Sequence, residues 1–236
     1  MQFVPLGEAC GAEVREVDVK RPLGADEVDA LERAFVNYGV LLFREQPLDA
    51  QGLVNLARHF GPVQPHVQRA YQHPEVPEVV MMTNRRPDGS FDEVGARRGA
   101  IEDLRQGWHS DLSYDPLPAK ATLLHSLEIP SSGGNTCFSN VYKAYESLPA
   151  GVRTRVQEMR CEIRLGTDMR NSKAAVAAQN LDEAGRQSMA IHPVVNAHAV
   201  TGRPGIYANP LLTTRILDVD EREGEELMAT LFDAID

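Results

Sequence analysis

The spacing of apolar and polar residues predicts short strands bordered by helices. Residues 12–19 (Ala-Glu-Val-Arg-Glu-Val-Asp-Val) alternate as a half-buried strand does, because side chains two apart share a face. Residues 26–37 place Val28, Leu31, Ala34 and Phe35 at helical spacing, with acidic residues in the first turn. A buried strand over 39–43 follows. Asp49 then caps a second helix that carries Leu53, Leu56, Ala57 and Phe60 and stops at Gly61-Pro62. Further strands are predicted over 76–83, 121–127, 135–139, 160–165, 194–200 and 205–208, the last two joined by the turn Thr201-Gly202-Arg203-Pro204. Helices are predicted over 141–148 and 220–235, the second with Leu227, Met228, Leu231 and Ile235 on one face. Residues 171–190, rich in Ala and Gln, read as helical or mobile. These elements do not alternate as regular βαβ units, which favours a β-sandwich or jelly-roll core over a doubly wound sheet.

Residues 84–107 break the pattern. This polar, loop-like stretch holds Arg85, Arg86, Arg97, Arg98 and Arg105 among several glycines. Long loops in compact domains serve as functional lids or are disordered. The arginines fit a solvated loop face or an anion-attracting lid.

Composition bounds the function. The 236 residues, 42% hydrophobic and 25% charged, suit one soluble globular domain, 1–236. A net charge of -10 argues against a nucleic-acid partner, whose phosphates require a basic surface. The apolar runs are strand-sized, too short to span a bilayer, and no signal peptide is visible, so a cytoplasmic protein is expected. Cys10, Cys137 and Cys161 are scattered and odd in number, as reduced thiols are.

The sharpest chemical signal is Gly107-Trp108-His109-Ser110-Asp111. In an extended chain His109 and Asp111 point to one side and offer a nitrogen and a carboxylate oxygen to a common point. That is two-thirds of the two-His-one-carboxylate cradle that holds non-haem Fe(II). His-x-Asp alone is a weak pattern. Downstream, Ser131-Ser132-Gly133-Gly134-Asn135-Thr136 permits a tight turn that presents the Thr136 hydroxyl, and it equally fits an ordinary hairpin. His192 and His198 read as structural hydrogen-bonding residues, His125 as a core histidine, and His59 and His73 as surface or packing residues.

The ordered set of motifs resembles the TauD/TfdA family of Fe(II)- and 2-oxoglutarate-dependent dioxygenases. The carrying pieces are Pro5-Leu6-Gly7, Leu41-Leu42-Phe43-Arg44-Glu45-Gln46, His59-Phe60-Gly61 with His66, Trp108-His109-Ser110-Asp111, Gly133-Gly134-Asn135-Thr136, the segment from His192 to His198 with Thr201-Gly202-Arg203, and Asn209 with Thr213-Thr214-Arg215-Ile216. The resemblance implies a mainly β fold with flanking helices (α+β) around a double-stranded β-helix, a jelly-roll or cupin-like core. It implies His109 and Asp111 as iron ligands and Thr136 as the contact to the distal carboxylate of 2-oxoglutarate. His66 becomes a substrate contact. Arg105 becomes a second substrate contact, three residues before Trp108, where taurine-type members carry a small polar one, a departure that points away from taurine itself. The implied reaction uses Fe(II), 2-oxoglutarate and O2, hydroxylates a small anionic organic substrate, and releases succinate and carbon dioxide. A homo-oligomer is a mild expectation.

The family's third metal ligand is a histidine near the C-terminus, followed by an arginine for 2-oxoglutarate. No histidine follows His198 in this sequence. The expectation is therefore a dioxygenase chain lacking its C-terminal strands and third ligand. The alternative is a non-catalytic oxygenase-like binding module without a complete metal triad, and a cupin-type metal enzyme independent of 2-oxoglutarate is a weaker third reading.

Overall fold

The computed structural model describes residues 1–65, 69–86, 88–93, 96, 103–165 and 188–236. Strand β1 (Gln2–Pro5) pairs antiparallel with β2 (Ala12–Arg15), and β3 (Leu41–Phe43) adds to β2 in parallel, with Ala12 opposite Leu41. Helix α1 (Ala25–Tyr38) makes the crossover that a parallel pair requires. Its stop is Gly39, whose φ of 72° ends the helix in the left-handed region. Helix α2 (Ala50–Ala57) begins at Asp49, whose carboxylate accepts from the Gly52 amide at 2.7 Å. Val14, Val19, Leu23, Leu31 and Leu56 form the core of this part.

The larger core lies in the second half. Helices α3 (Val141–Ser147) and α4 (Ala150–Val156) lead into β4 (Arg160–Arg164). That strand is the centre of an antiparallel sheet, flanked by β5 (Met189–Pro193) and β8 (Thr213–Ile216). Strands β6 (Val195–Ala197) and β7 (Pro204–Ile206) form a separate hairpin. Helix α5 (Glu221–Ile235), capped by Asp220, closes the core with the predicted face: Leu227, Met228, Leu231 and Ile235 are all buried. Together they cover Val156, Cys161, Ile163, Val194, Ile206 and Ile216. Gly205 is the contact point of β7 with α3, where a Cβ would meet Val141 at 3.0 Å and Tyr142 at 3.1 Å.

Several expectations need correction. The strand expected over 76–83 is only a single bridge, Gln72 to Val80. The predicted strand over 12–19 ends at Arg15, because Glu16 takes a φ of 57° that breaks the ladder. Helix α4, β1 and β5 are elements that periodicity did not resolve. Residues 121–127 and 135–139 carry apolar side chains but form no strand, since no described strand lies beside them to pair their backbone groups. Leu124, Leu127 and Ile129 stand about 70% exposed or more, at 68%, 71% and 77%. His125 is accordingly half-buried on this segment and not in a core. The described architecture is α+β, helices with small sheets, and a closed jelly roll is not among its features. Most of the segment 171–190 lies outside the described residues; its last two belong to β5.

Candidate functional site

The chain enters the site through a short 3-10 turn, Leu104–Gln106, and then runs extended through Trp108, His109 and Ser110 before turning at Asp111. The extended run brings His109 and Asp111 to one side, with Nε2 of His109 3.4 Å from Oδ1 of Asp111. Both side chains reach solvent, at 38% and 51% exposure, so a ligand can approach them. His109 is oriented from behind: its Nδ1 lies 2.8 Å from the carbonyl oxygen of Gly107. A carbonyl can only accept, so Nδ1 carries the hydrogen and Nε2 is the nitrogen turned towards Asp111.

The hydrogen bond to the Asp111 carboxylate holds the His109 pKa above its ordinary value; burial works against this, and the Gly107 carbonyl adds to it. A proton on Nε2 thus sits between the two donor atoms. A metal ion would replace that proton, since a ligating imidazole must be neutral at the bound nitrogen. The nitrogen–carboxylate pair suits two corners of a non-haem iron cradle. Among the described residues no group of three His, Cys, Asp or Glu side chains converges as a metal site, so these two are the donors the structure supplies.

Several distant elements fix this loop. The Leu211 amide donates to the Trp108 carbonyl at 3.3 Å. Asn209 donates through Nδ2 to the fully buried hydroxyl of Ser113, also at 3.3 Å. His192 on β5 contacts the Asp115 carbonyl oxygen through Nε2 at 3.0 Å, its ring edge-on to Tyr207. Leu112, the residue after Asp111, has a φ of 54°, uncommon for a leucine, and packs on the main core. His192 therefore acts structurally, as expected, and does so on the His109–Asp111 loop itself. His198 is structural too: its Nδ1 accepts from the amides of Val200 and Thr201 inside the 198–203 turn.

A cavity of about 130 Å³ opens beside His109, lined by Trp108, Cys137, Phe138, Tyr207 and Asn209. The Tyr207 hydroxyl is buried without a hydrogen-bond partner among the described residues, and burial pushes its pKa up to about 12. Sequence reasoning missed Asn209, Ser113 and Tyr207 as parts of this site, because their roles depend on packing between elements that no local spacing encodes.

Thr136 is exposed and does not line that cavity, although Cys137 and Phe138 beside it do. Gly133 and Gly134 take φ values of 76° and 69°, successive left-handed residues that only glycine adopts readily. Arg105 is held by carboxylates of α5, 3.3 Å from Asp233 and 3.1 Å from Asp236. His66 lies outside the described residues, as do Arg97 and Arg98. Arg85 pairs with Glu128 at 3.0 Å.

The chain is 29% identical over 234 residues to the alpha-ketoglutarate-dependent 2,4-dichlorophenoxyacetate dioxygenase of Cupriavidus pinatubonensis, covering 97% of this chain and 80% of the relative. It is 29% identical to the pentalenolactone F synthase of Streptomyces avermitilis, covering 96% of this chain and 76% of that one. A solved taurine dioxygenase from Burkholderia xenovorans superposes with a TM-score of 0.78 at 27% identity, over 99% of this chain and 73% of that structure. The family model described as taurine catabolism dioxygenase TauD, TfdA family matches residues 2–236. With the His109–Asp111 pair in the family's order of motifs, the chain belongs to the TauD/TfdA family of Fe(II)- and 2-oxoglutarate-dependent dioxygenases.

Proposed function

We propose that the chain hydroxylates a small anionic organic molecule, consuming 2-oxoglutarate and O2 and releasing succinate and carbon dioxide. The observation that carries this reading is the approach of His109 Nε2 to Asp111 Oδ1 on a loop pinned by β5 and by the connection between β7 and β8. His109 and Asp111 would hold Fe(II), which supplies the activation of O2 when bound. The Gly107 carbonyl keeps the imidazole in the tautomer that frees Nε2. Thr136, exposed just after two left-handed glycines, is the proposed contact to the distal carboxylate of 2-oxoglutarate. His66 and the arginines of 84–107 are the proposed receivers of the substrate's acidic group. The third protein donor to the metal is proposed to lie outside the described residues, with a double-stranded β-helix as the complete fold. The relatives extend beyond the stretch that matches this chain, which supports that placement.

Relatives that act on 2,4-dichlorophenoxyacetate, on (S)-phenoxypropionate and on sulfonates support an anionic substrate. The test is anaerobic addition of Fe(II) and 2-oxoglutarate. A weak visible charge-transfer band is expected, followed by succinate once O2 is admitted. Asp111→Ala is expected to abolish both while far-UV circular dichroism stays unchanged. A protein that gives neither band nor succinate is the non-catalytic binding module instead.

A further inference from the structure

The segment that leads into His109 is gripped by the last turn of α5. Trp108 Nε1 donates to Oδ1 of Asp236 at 3.1 Å. Oδ2 of the same carboxylate lies 3.1 Å from Arg105 Nε, and Asp233 adds a second partner to that guanidinium at 3.3 Å. One carboxylate therefore bridges the residue before His109 and the turn from which the chain approaches it. The Ser139 hydroxyl, on the segment that lines the cavity, bonds the Ile235 carbonyl at 2.5 Å, which anchors the same helix end from the other side.

The electrostatics of α5 fit a partner of this kind. The last turn of α5 holds Asp233 and no basic residue, and Asp236 follows it directly. Arg105, from an element 128 positions away in sequence, supplies the missing cation. Trp108 lies between Gly107, whose carbonyl orients the His109 ring, and His109 itself. Its own carbonyl is fixed by Leu211. With the indole held as well, neither peptide flanking Trp108 can rotate freely.

We propose that Asp236 is a positioning residue: by holding Trp108 and Arg105 it fixes the approach of His109 to Asp111 and so sets the metal affinity of the pair. This rests on the reading that His109 and Asp111 bind Fe(II). It gives Arg105, through Asp233 and Asp236, a part in site architecture.

Trp108 is the only tryptophan, so its fluorescence reports this contact directly. Fe(II) is titrated anaerobically into the protein and binding is followed by Trp108 quenching and, independently, by equilibrium dialysis. Wild-type protein is expected to bind and His109→Ala to lose binding. Asp236→Ala is expected to weaken Fe(II) about tenfold, the scale seen when a group supporting a metal ligand is removed. In metal-free protein it is expected to shift Trp108 emission to longer wavelength and raise its quenching by acrylamide. Asp236→Asn keeps an oxygen for the indole but loses the charge facing Arg105, and is expected to fall between the two. Asp236→Glu restores most of the affinity. If Asp236→Ala binds Fe(II) as tightly as wild type, or loses affinity without any change in Trp108 emission, the proposal is overturned while the metal centre stands. If wild-type protein binds no Fe(II), the metal-centre reading falls and this proposal falls with it.

Discussion

At the residue scale the site is governed by one proton. His109 has its pKa raised chiefly by the hydrogen bond to Asp111, so in metal-free protein the imidazolium–carboxylate pair forms as pH falls. A raised folded-state pKa means that the pair stabilises the fold below the ordinary histidine value of about 6.5 and that this contribution is lost as pH rises through the shifted value. Metal bound at the proposed site would reverse the sign, because Fe(II) would compete with that proton and bind more tightly as pH rises. Thermal melts between pH 5 and 8 are expected to show a benefit from Fe(II) that grows with pH, and His109→Gln is expected to flatten the dependence. An Fe(II) effect equal at both ends would show that His109 does not exchange its proton for the metal. The pairing itself was legible in the spacing, since two residues separated by one in an extended chain share a side. The raised pKa was not, because it depends on the 3.4 Å approach and on the Gly107 carbonyl behind the ring.

Among the elements, helices were read well and strands less so. The faces of α1 and α5 follow from a period that each helix satisfies by itself, and Asp49 and Asp220 cap their helices through bonds only three residues long. A strand depends on a neighbour from elsewhere in the chain. Apolar alternation at 121–127 was therefore no guarantee of a ladder, while β5, whose sequence reads ambiguously, forms because β4 lies beside it with Cys161 opposite His192. Helix α5 is the element that joins core to site, for its buried face closes the main cluster while its last turn reaches Trp108. Leu231 is fully buried at its centre. Leu231→Ala is expected to cost about 3 kcal/mol of stability through lost burial and the cavity left behind. Denaturant unfolding measures this, and a loss below about 1 kcal/mol would mean that the site collapses around the smaller side chain or that α5 is not packed as described.

Over the whole molecule, organisation is uneven. The His109–Asp111 loop packs through Leu112 and Tyr114 on the main core, to which β4, β8 and α5 contribute, whereas the stretch carrying Thr136 runs along the surface. The reaction class was legible because its motifs are short and keep their order, and the family match over residues 2–236 agrees with that reading. The substrate's identity was not, since its proposed contacts at His66 and in the 84–107 loop depend on tertiary placement that local sequence does not encode. The stretch from 118 to 139 has a kinetic consequence. None of its backbone amides donates a hydrogen bond to a described residue, whereas β4 sits between two partner strands. Amide exchange is limited by how often such bonds open. In deuterated buffer, peptides from 118–139 are therefore expected to take up label within seconds, at nearly the rate of an unstructured chain, while Arg160–Arg164 stays protonated until the molecule unfolds globally. Slow uptake in 118–139 would reveal a partner for that backbone in solution. On this reading the arm that bears Thr136 exchanges fast, whereas the sheet that pins the His109–Asp111 loop through His192 exchanges slowly.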